Sequence, residues 1–396
     1  SLSAEWLIRG VGKLTTAFTA DFLRYVSGDP RPANSAQLTA SFVSPLLRDA
    51  GYKSQVEALT QAERQLLYDL RDFTRYRRDF SVQIATACYG VLGGRDAVRN
   101  NYLNLQTSRK NAERTRALAD EGRETQSNLG RLAQAELSAE SAWINAIRSY
   151  KQALDNFKLQ LGLTINERII LADAELEALQ IRHPEIAVED SIKVALAARL
   201  DYLTSKDQLV DSDRKLKLSV DRLKPSLNFS STVTLSPDSA KANGFALPEF
   251  NRYSYDAGLS LDPGLDKTAD RFAYRSALIR RDSAARAVEQ QEDEIKLQVR
   301  DSWRTLDSAK RNFEISEIGV KLAERRVEEQ TLLAELGRSK AQDQVDAQND
   351  LVNSKNQRTQ ALVAHTIARL QFWNNMGILY IKDRGQWEEI KDAKAQ

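Results

Sequence analysis

Two carboxylates, Asp343 and Asp346, stand three residues apart in a stretch that runs from Glu335 through Gly337, Arg338 and Ser339 to Ala347. On a helix this spacing puts both acids on one face, one turn apart. Acids so placed can gather cations, or they can complement the positive end of the helix dipole, which is worth about 0.3–1 kcal/mol. Other chemistry-bearing residues are few. Cys88 is the single cysteine, so no disulfide can form within the chain. His183 and His365 are the two histidines and lie far apart in sequence, which leaves no Cys/His set at metal-ligand spacing. All three are expected in packing or surface roles. There is no nucleophile–base pair and no phosphate loop. The sequence therefore points away from an enzyme, and it implies no cofactor and no metal.

Lys plus Arg number 57 and Asp plus Glu 55 in 396 residues, a net charge of +2. So even a balance carries no electrostatic footprint for nucleic acid. Charged residues interrupt every long apolar stretch, which excludes a transmembrane helix. They do not exclude a transmembrane β-barrel, whose strands are short and alternate. Ser1 is not preceded by a basic-then-apolar leader, so the sequence is expected to be a processed chain or a fragment.

The elements that position the acids follow from the prolines. All eight lie at 30, 32, 45, 184, 225, 237, 248 and 263. Proline inside a helix costs about 3 kcal/mol, so the tracts between Pro45 and Pro184 and after Pro263 are where very long helices can form. Both tracts carry heptads. Val299, Leu306, Phe313, Val320, Val327 and Ala334 form one row, with Ser302, Ala309, Ser316 and Ala323 beside it. Leu59, Leu66, Phe73, Phe80 and Ala87 form another. Sustained heptads predict coiled-coil packing. Ile315, Ile318 and Leu322 fall off the main row and suggest a second seam. One helix from Leu46 to about Glu121 would run on the order of 110 Å, with a kink possible at Gly90, Gly93 and Gly94.

The proline-bearing zones alternate with period two. Leu227, Phe229, Ser231, Val233 and Leu235 point one way and their neighbours the other; Tyr253, Tyr255, Ala257, Leu259 and Leu261 do the same. Leu14 to Phe22 and Leu38 to Phe42 repeat the pattern less cleanly. Runs of this length match membrane-barrel strands, yet four strands cannot close a barrel, so closure would need several copies. The loops between them hold Gly28, Asp29, Pro30 and Pro32, and Pro237, Asp238, Gly244 and Pro248. A soluble hairpin packed on the helices is the other reading of these zones.

The halves share one plan. Gly122 and Gly337 are 215 residues apart, and so are Gly162 and Gly377, which predicts a helix-turn-helix hairpin used twice. Gly337 is read as the residue that ends one helix, and Ser339 with Gln342 as the capping box that begins the next.

On these features the sequence resembles the TolC-like outer-membrane efflux protein family. The likeness spans nearly the whole chain. Arg199-Leu200-Asp201-Tyr202 and Leu223-Lys224-Pro225-Ser226-Leu227 are similar to that family's entry into its second strand pair. The resemblance implies a mainly α fold with a β part. The expected parts are a strand pair over 1–46, a helical hairpin over 47–162 and a linker with a helix over 163–224. A second strand pair over 225–263, a second hairpin over 264–377 and a polar tail over 378–396 complete the plan. Three chains would join four strands each into a 12-stranded transmembrane β-barrel, continued by an α-barrel. Asp343 and Asp346 would be the pore constriction, and Gly122, Asn128, Gly337 and Arg338 the turns that gate it. Asn128 replaces an acidic residue that family members can carry. The family's helical segment before its first strand is not seen. The resemblance also implies a homotrimer in the bacterial outer membrane, a periplasmic adaptor and an inner-membrane RND or ABC transporter. A soluble coiled-coil scaffold without a pore is the alternative; it accounts for the heptads but not for strand pairs at matching points of both halves.

Overall fold

A computed structural model describes residues 1–8, 10–24, 32–51, 54, 56–172, 176, 179–237, 248–336, 338–381 and 387–388. For 21–24, 32–35 and 387–388 it describes the backbone. The expected loop residues Gly28, Asp29, Pro30, Asp238 and Gly244, and the turn residue Gly337, lie outside the described residues. In order the elements are β1 (Leu2–Ile8), β2 (Gly12–Arg24), β3 (Pro32–Pro45), α1 (Glu57–Asp120), α2 (Gln126–Gln160), α3 (Val188–Ala198), α4 (Leu200–Asp221), β4 (Ser226–Leu235), β5 (Tyr253–Asp262), α5 (Thr268–Glu335), α6 (Ala341–Asn375), β6 (Tyr380–Ile381) and β7 (Trp387–Glu388). They divide into two compact units, Ser1–Arg71 with Asp201–Gln290 and Asp72–Leu200 with Gln291–Gln396.

The first unit holds one open sheet, ordered β1-β2-β3-β4-β5, every neighbour antiparallel. It has five strands where the alternation predicted four. The added strand, β1, reads Leu2-Ser3-Ala4-Glu5-Trp6-Leu7-Ile8 and ends in three consecutive apolar residues, so it carries no clean period of two. It joins β2 through a short turn in which the Val11 N–H donates to the Ile8 carbonyl at 3.0 Å. β2 to β5 contain 13, 14, 10 and 10 residues, enough for a tilted strand to cross a bilayer. Pro32 and Pro45 sit at the ends of β3, where a missing ladder donor costs least.

In the same unit α4 packs on the start of α1 through a buried polar cluster. Tyr68 donates to Asp211 Oδ2 at 2.8 Å, and Arg64 and Arg214 each approach Asp211 Oδ1 at 2.8 Å. Arg214 also grips Glu57 at 2.7 Å, and Arg71 pairs with Asp207 at 2.6 Å.

The long helices fall inside the two proline-free tracts. α1 has 64 residues and α5 has 68, each on the order of 100 Å at ~1.5 Å per residue. α1 starts later than expected, at Glu57, and runs through Gly90, Gly93 and Gly94 without a break. The second unit builds its core from Val82, Ala85, Tyr89 and Leu92 of α1 with Leu370 of α6 and Leu379, against which Cys88 packs. That fits the packing role expected of the cysteine. The polar tail begins with this buried Leu379, and four of its residues pair as β6 and β7.

The two heptad rows behave differently. Val299, Leu306, Ser302, Ala309 and Ala323 of α5 are buried within the chain. Leu59, Leu66, Phe73 and Phe80 of α1 stay exposed, as do Ile315, Ile318 and Leu322 of α5. The small row on α5 is covered; the large row on α1 stays open, with Phe80 stacked on Tyr76 of its own helix at 5.9 Å between ring centres.

Candidate functional site

Each hairpin turn is built by its local sequence. α1 ends at Asp120, and Gly122 takes a positive φ of 74° that an L side chain adopts only at a cost. This lets the Arg123 N–H reach back to the Leu118 carbonyl at 2.8 Å and the Gly122 N–H to Ala119 at 3.0 Å, a Schellman-type end. Thr125 then caps α2, its hydroxyl accepting from the Asn128 N–H at 3.2 Å. The Asn128 side chain donates to Glu124 at 2.9 Å. Asn128 thus serves its own turn and bonds to no other hairpin among the described residues.

The second turn repeats the backbone bonds. The Arg338 N–H donates to the Leu333 carbonyl at 2.8 Å, and Asp343 and Gln344 both donate to Lys340, as Asn128 and Leu129 do to Thr125. α2 and α6 have 35 residues each, and both their ends are offset by 215 positions. The cap differs from expectation. Lys340, not Ser339, is the N-cap residue of α6, and it offers no side-chain bond. Ser339 instead donates to Gln330 of α5 at 2.8 Å, and Gln342 to Asp346 at 2.8 Å, so the expected capping box does not form.

The acids lie where the spacing put them. Asp343 and Asp346 are half-buried in the first two turns of α6, about 60° apart around its axis. Ala341 and Val345, on another face, pack with Ala112 of α1 and Leu132 of α2, which ties the start of α6 to the first hairpin. Arg109 pairs with Glu136 and Glu140 across α1 and α2, and Arg326 with Asp350 across α5 and α6. The Arg338 side chain is exposed and makes no hydrogen bond or ion pair among the described residues.

Spacing gave no sign that the two histidines would meet. His365 of α6 is fully buried, and neither of its ring nitrogens has a hydrogen-bond partner; nor has Nδ1 of His183. Their ring centres are 6.4 Å apart. Burial, then Arg369, His183 and Lys310, push His365 down to about 4. Burial and Lys310 lower His183 as well, against Asp307 and Glu314. Both rings are therefore neutral at pH 7. No group of three or more His, Cys, Asp or Glu that could hold a metal occurs among the described residues, and the nearby Arg369 and Lys310 oppose a cation. No helix among them is long and apolar enough to cross a membrane.

No protein-family model matches the chain, and no curated protein matches it. Solved structures do. The outer membrane protein VceC from Vibrio cholerae superposes with a TM-score of 0.73 at 15% identity, covering 93% of this chain and 87% of that one. The CmeC outer membrane channel of Campylobacter jejuni gives 0.73 at 10%, covering 97% and 80%. The open state of the MtrE outer membrane channel of Neisseria gonorrhoeae gives 0.72 at 13%, covering 92% and 80%. Superposed over 92–97% of its length, this chain has the fold of these outer-membrane channels.

Proposed function

We propose that three copies of this chain form a passive channel in the bacterial outer membrane, the exit duct of a tripartite efflux or type I secretion system. The observation that carries the reading is the fold, matched over more than nine-tenths of the chain to outer-membrane channels. Two features of the single chain support it. The sheet is open, with a row of unpaired backbone groups on β5 that lipid would not tolerate. The exposed stripes on α1 and α5 ask for further helices, and three copies would supply them.

In this reading β2 to β5 contribute four strands per chain to a 12-stranded barrel, and the paired hairpins, an internal duplication, continue it as a hollow α-barrel in the periplasm. Threefold symmetry gathers three copies of Asp343 and of Asp346 around one axis. A carboxylate ring at a constriction favours cations. Gly122, Asn128, Gly337 and Arg338 mark the turns that a periplasmic adaptor grips and an inner-membrane RND or ABC transporter opens. Arg338, exposed and unengaged among the described residues, is the side chain we assign to hold a neighbouring hairpin. The channel itself changes no bond in its cargo.

The test is reconstitution. Protein extracted in detergent should have the mass of a trimer and give discrete conductance steps in a planar lipid bilayer. A chain that stays soluble and monomeric without detergent, with no conductance, would return the reading to a coiled-coil scaffold.

A further inference from the structure

We propose that β1 is a temporary cover on the edge of β2, and that β5 of a second copy replaces it when the sheet closes between chains. The proposal rests on the channel reading above.

Direction is the first argument. Every neighbour in the order β1-β2-β3-β4-β5 is antiparallel, so strand direction alternates, and β1 and β5 run the same way. Joining copies through β5 and β1 would make every seam parallel, in a fold class whose barrels are antiparallel throughout. β2 runs opposite to β5. A seam from β5 to β2 keeps the whole wall antiparallel, and it requires β1 to leave.

Chemistry agrees. All seven β1 residues are exposed, and Glu5 lies at its centre. Its ion pair with Lys13, at 2.7 Å, has both side chains more than half exposed and so holds β1 weakly. A charged strand laid on an edge is one way to keep that edge from pairing at the wrong time.

Register shows which bonds the exchange trades. β1 pairs with Gly12 to Phe18 of β2, the same edge that β5 of an incoming chain would take.

The experiment uses the full chain with Cys88→Ala, so that two introduced cysteines are the only thiols. Ala4 faces Thr16, and Ser3 faces Ala17. Adjacent pairs alternate between the wide and narrow sites of an antiparallel ladder, so Ala4→Cys/Thr16→Cys and Ser3→Cys/Ala17→Cys together sample both. Once oxidised, a cross-linked chain cannot release β1. The trimer fraction in detergent should fall at least tenfold and recover on reduction, and bilayer conductance should follow it. A separate variant, Ala4→Pro, removes a ladder donor that faces Thr16 of β2 and should speed trimer formation several-fold. Equal trimer yield from oxidised and reduced protein, or an unchanged rate for Ala4→Pro, overturns the strand exchange and leaves the channel reading intact. A Cys88→Ala parent that is monomeric in detergent overturns both.

Discussion

His183 and His365 come from opposite halves of the sequence and face each other with ring planes tilted by 36°. Both are neutral, because burial and the positive Arg369 and Lys310 resist a further charge. The orphaned nitrogens make this contact sensitive to acid.

The sign follows from linkage. His365 is lowered to about 4 in the folded chain, against the 6.5 of a free histidine. On acidification the unfolded chain takes the proton first. The stability tied to His365 is whole above pH 6.5 and drains away as the pH falls to about 4, by on the order of 3 kcal/mol. Urea midpoints measured across that window should slope downward, and His365→Leu should flatten the slope. An identical slope in the variant would contradict the assignment.

Asp211 is nearly sealed from solvent, and its carboxylate still lies below the usual range. Burial alone would raise it; the hydrogen bonds from Tyr68 and Arg214 and the charge of Arg64 outweigh that. Asp211→Ala leaves two guanidinium groups and a phenol without their shared acceptor. We expect a loss of about 2–4 kcal/mol, read from urea unfolding. A loss under about 0.5 kcal/mol would mean water replaces the carboxylate at no cost.

Gly12 and Gly130 should answer alanine in opposite directions. A Cβ at Gly12 would lie 2.4 Å from the Val43 carbonyl oxygen on β3, so Gly12→Ala must part the β2–β3 ladder and lower the melting temperature. At Gly130 of α2 a Cβ meets nothing within 4 Å, and Gly130→Ala should stabilise by up to about 1 kcal/mol. Thermal melts of the two single variants settle the pair.

The carboxylates at the head of α6 are tested by block. On the proposed channel reading, trivalent cations should block conductance, and Asp343→Asn with Asp346→Asn should weaken that block at least tenfold while leaving thermal stability within about 1 kcal/mol. Unchanged block would leave the two acids only a dipole-complementing role.

Much of the fold was readable before any coordinates. Proline-free tracts, heptads and glycine spacing announced the four long helices, because helix rules are local and each residue reports its own neighbourhood. Alternation announced β4 and β5 cleanly. β1 escaped because Trp6, Leu7 and Ile8 break the period and because an edge strand is chosen by its partner. The Ser339 cap failed for a like reason: Gln330, nine residues back, competes for its hydroxyl. The histidine contact and the Asp211 cluster join elements far apart in sequence, and no spacing rule encodes such meetings. The row Leu59, Leu66, Phe73 and Phe80 lies on α1 with the expected spacing, but it stays exposed among the described residues.

That bare row has a thermodynamic consequence. Each leucine or phenylalanine left in water forgoes about 1.5–3 kcal/mol that a neighbour could return. If copies associate as proposed, folding and self-association are one equilibrium, and the midpoint of denaturation should climb with protein concentration instead of standing still. On that reading, a cell that makes the polypeptide faster than copies can find one another would accumulate a sticky orphan, vulnerable to proteases.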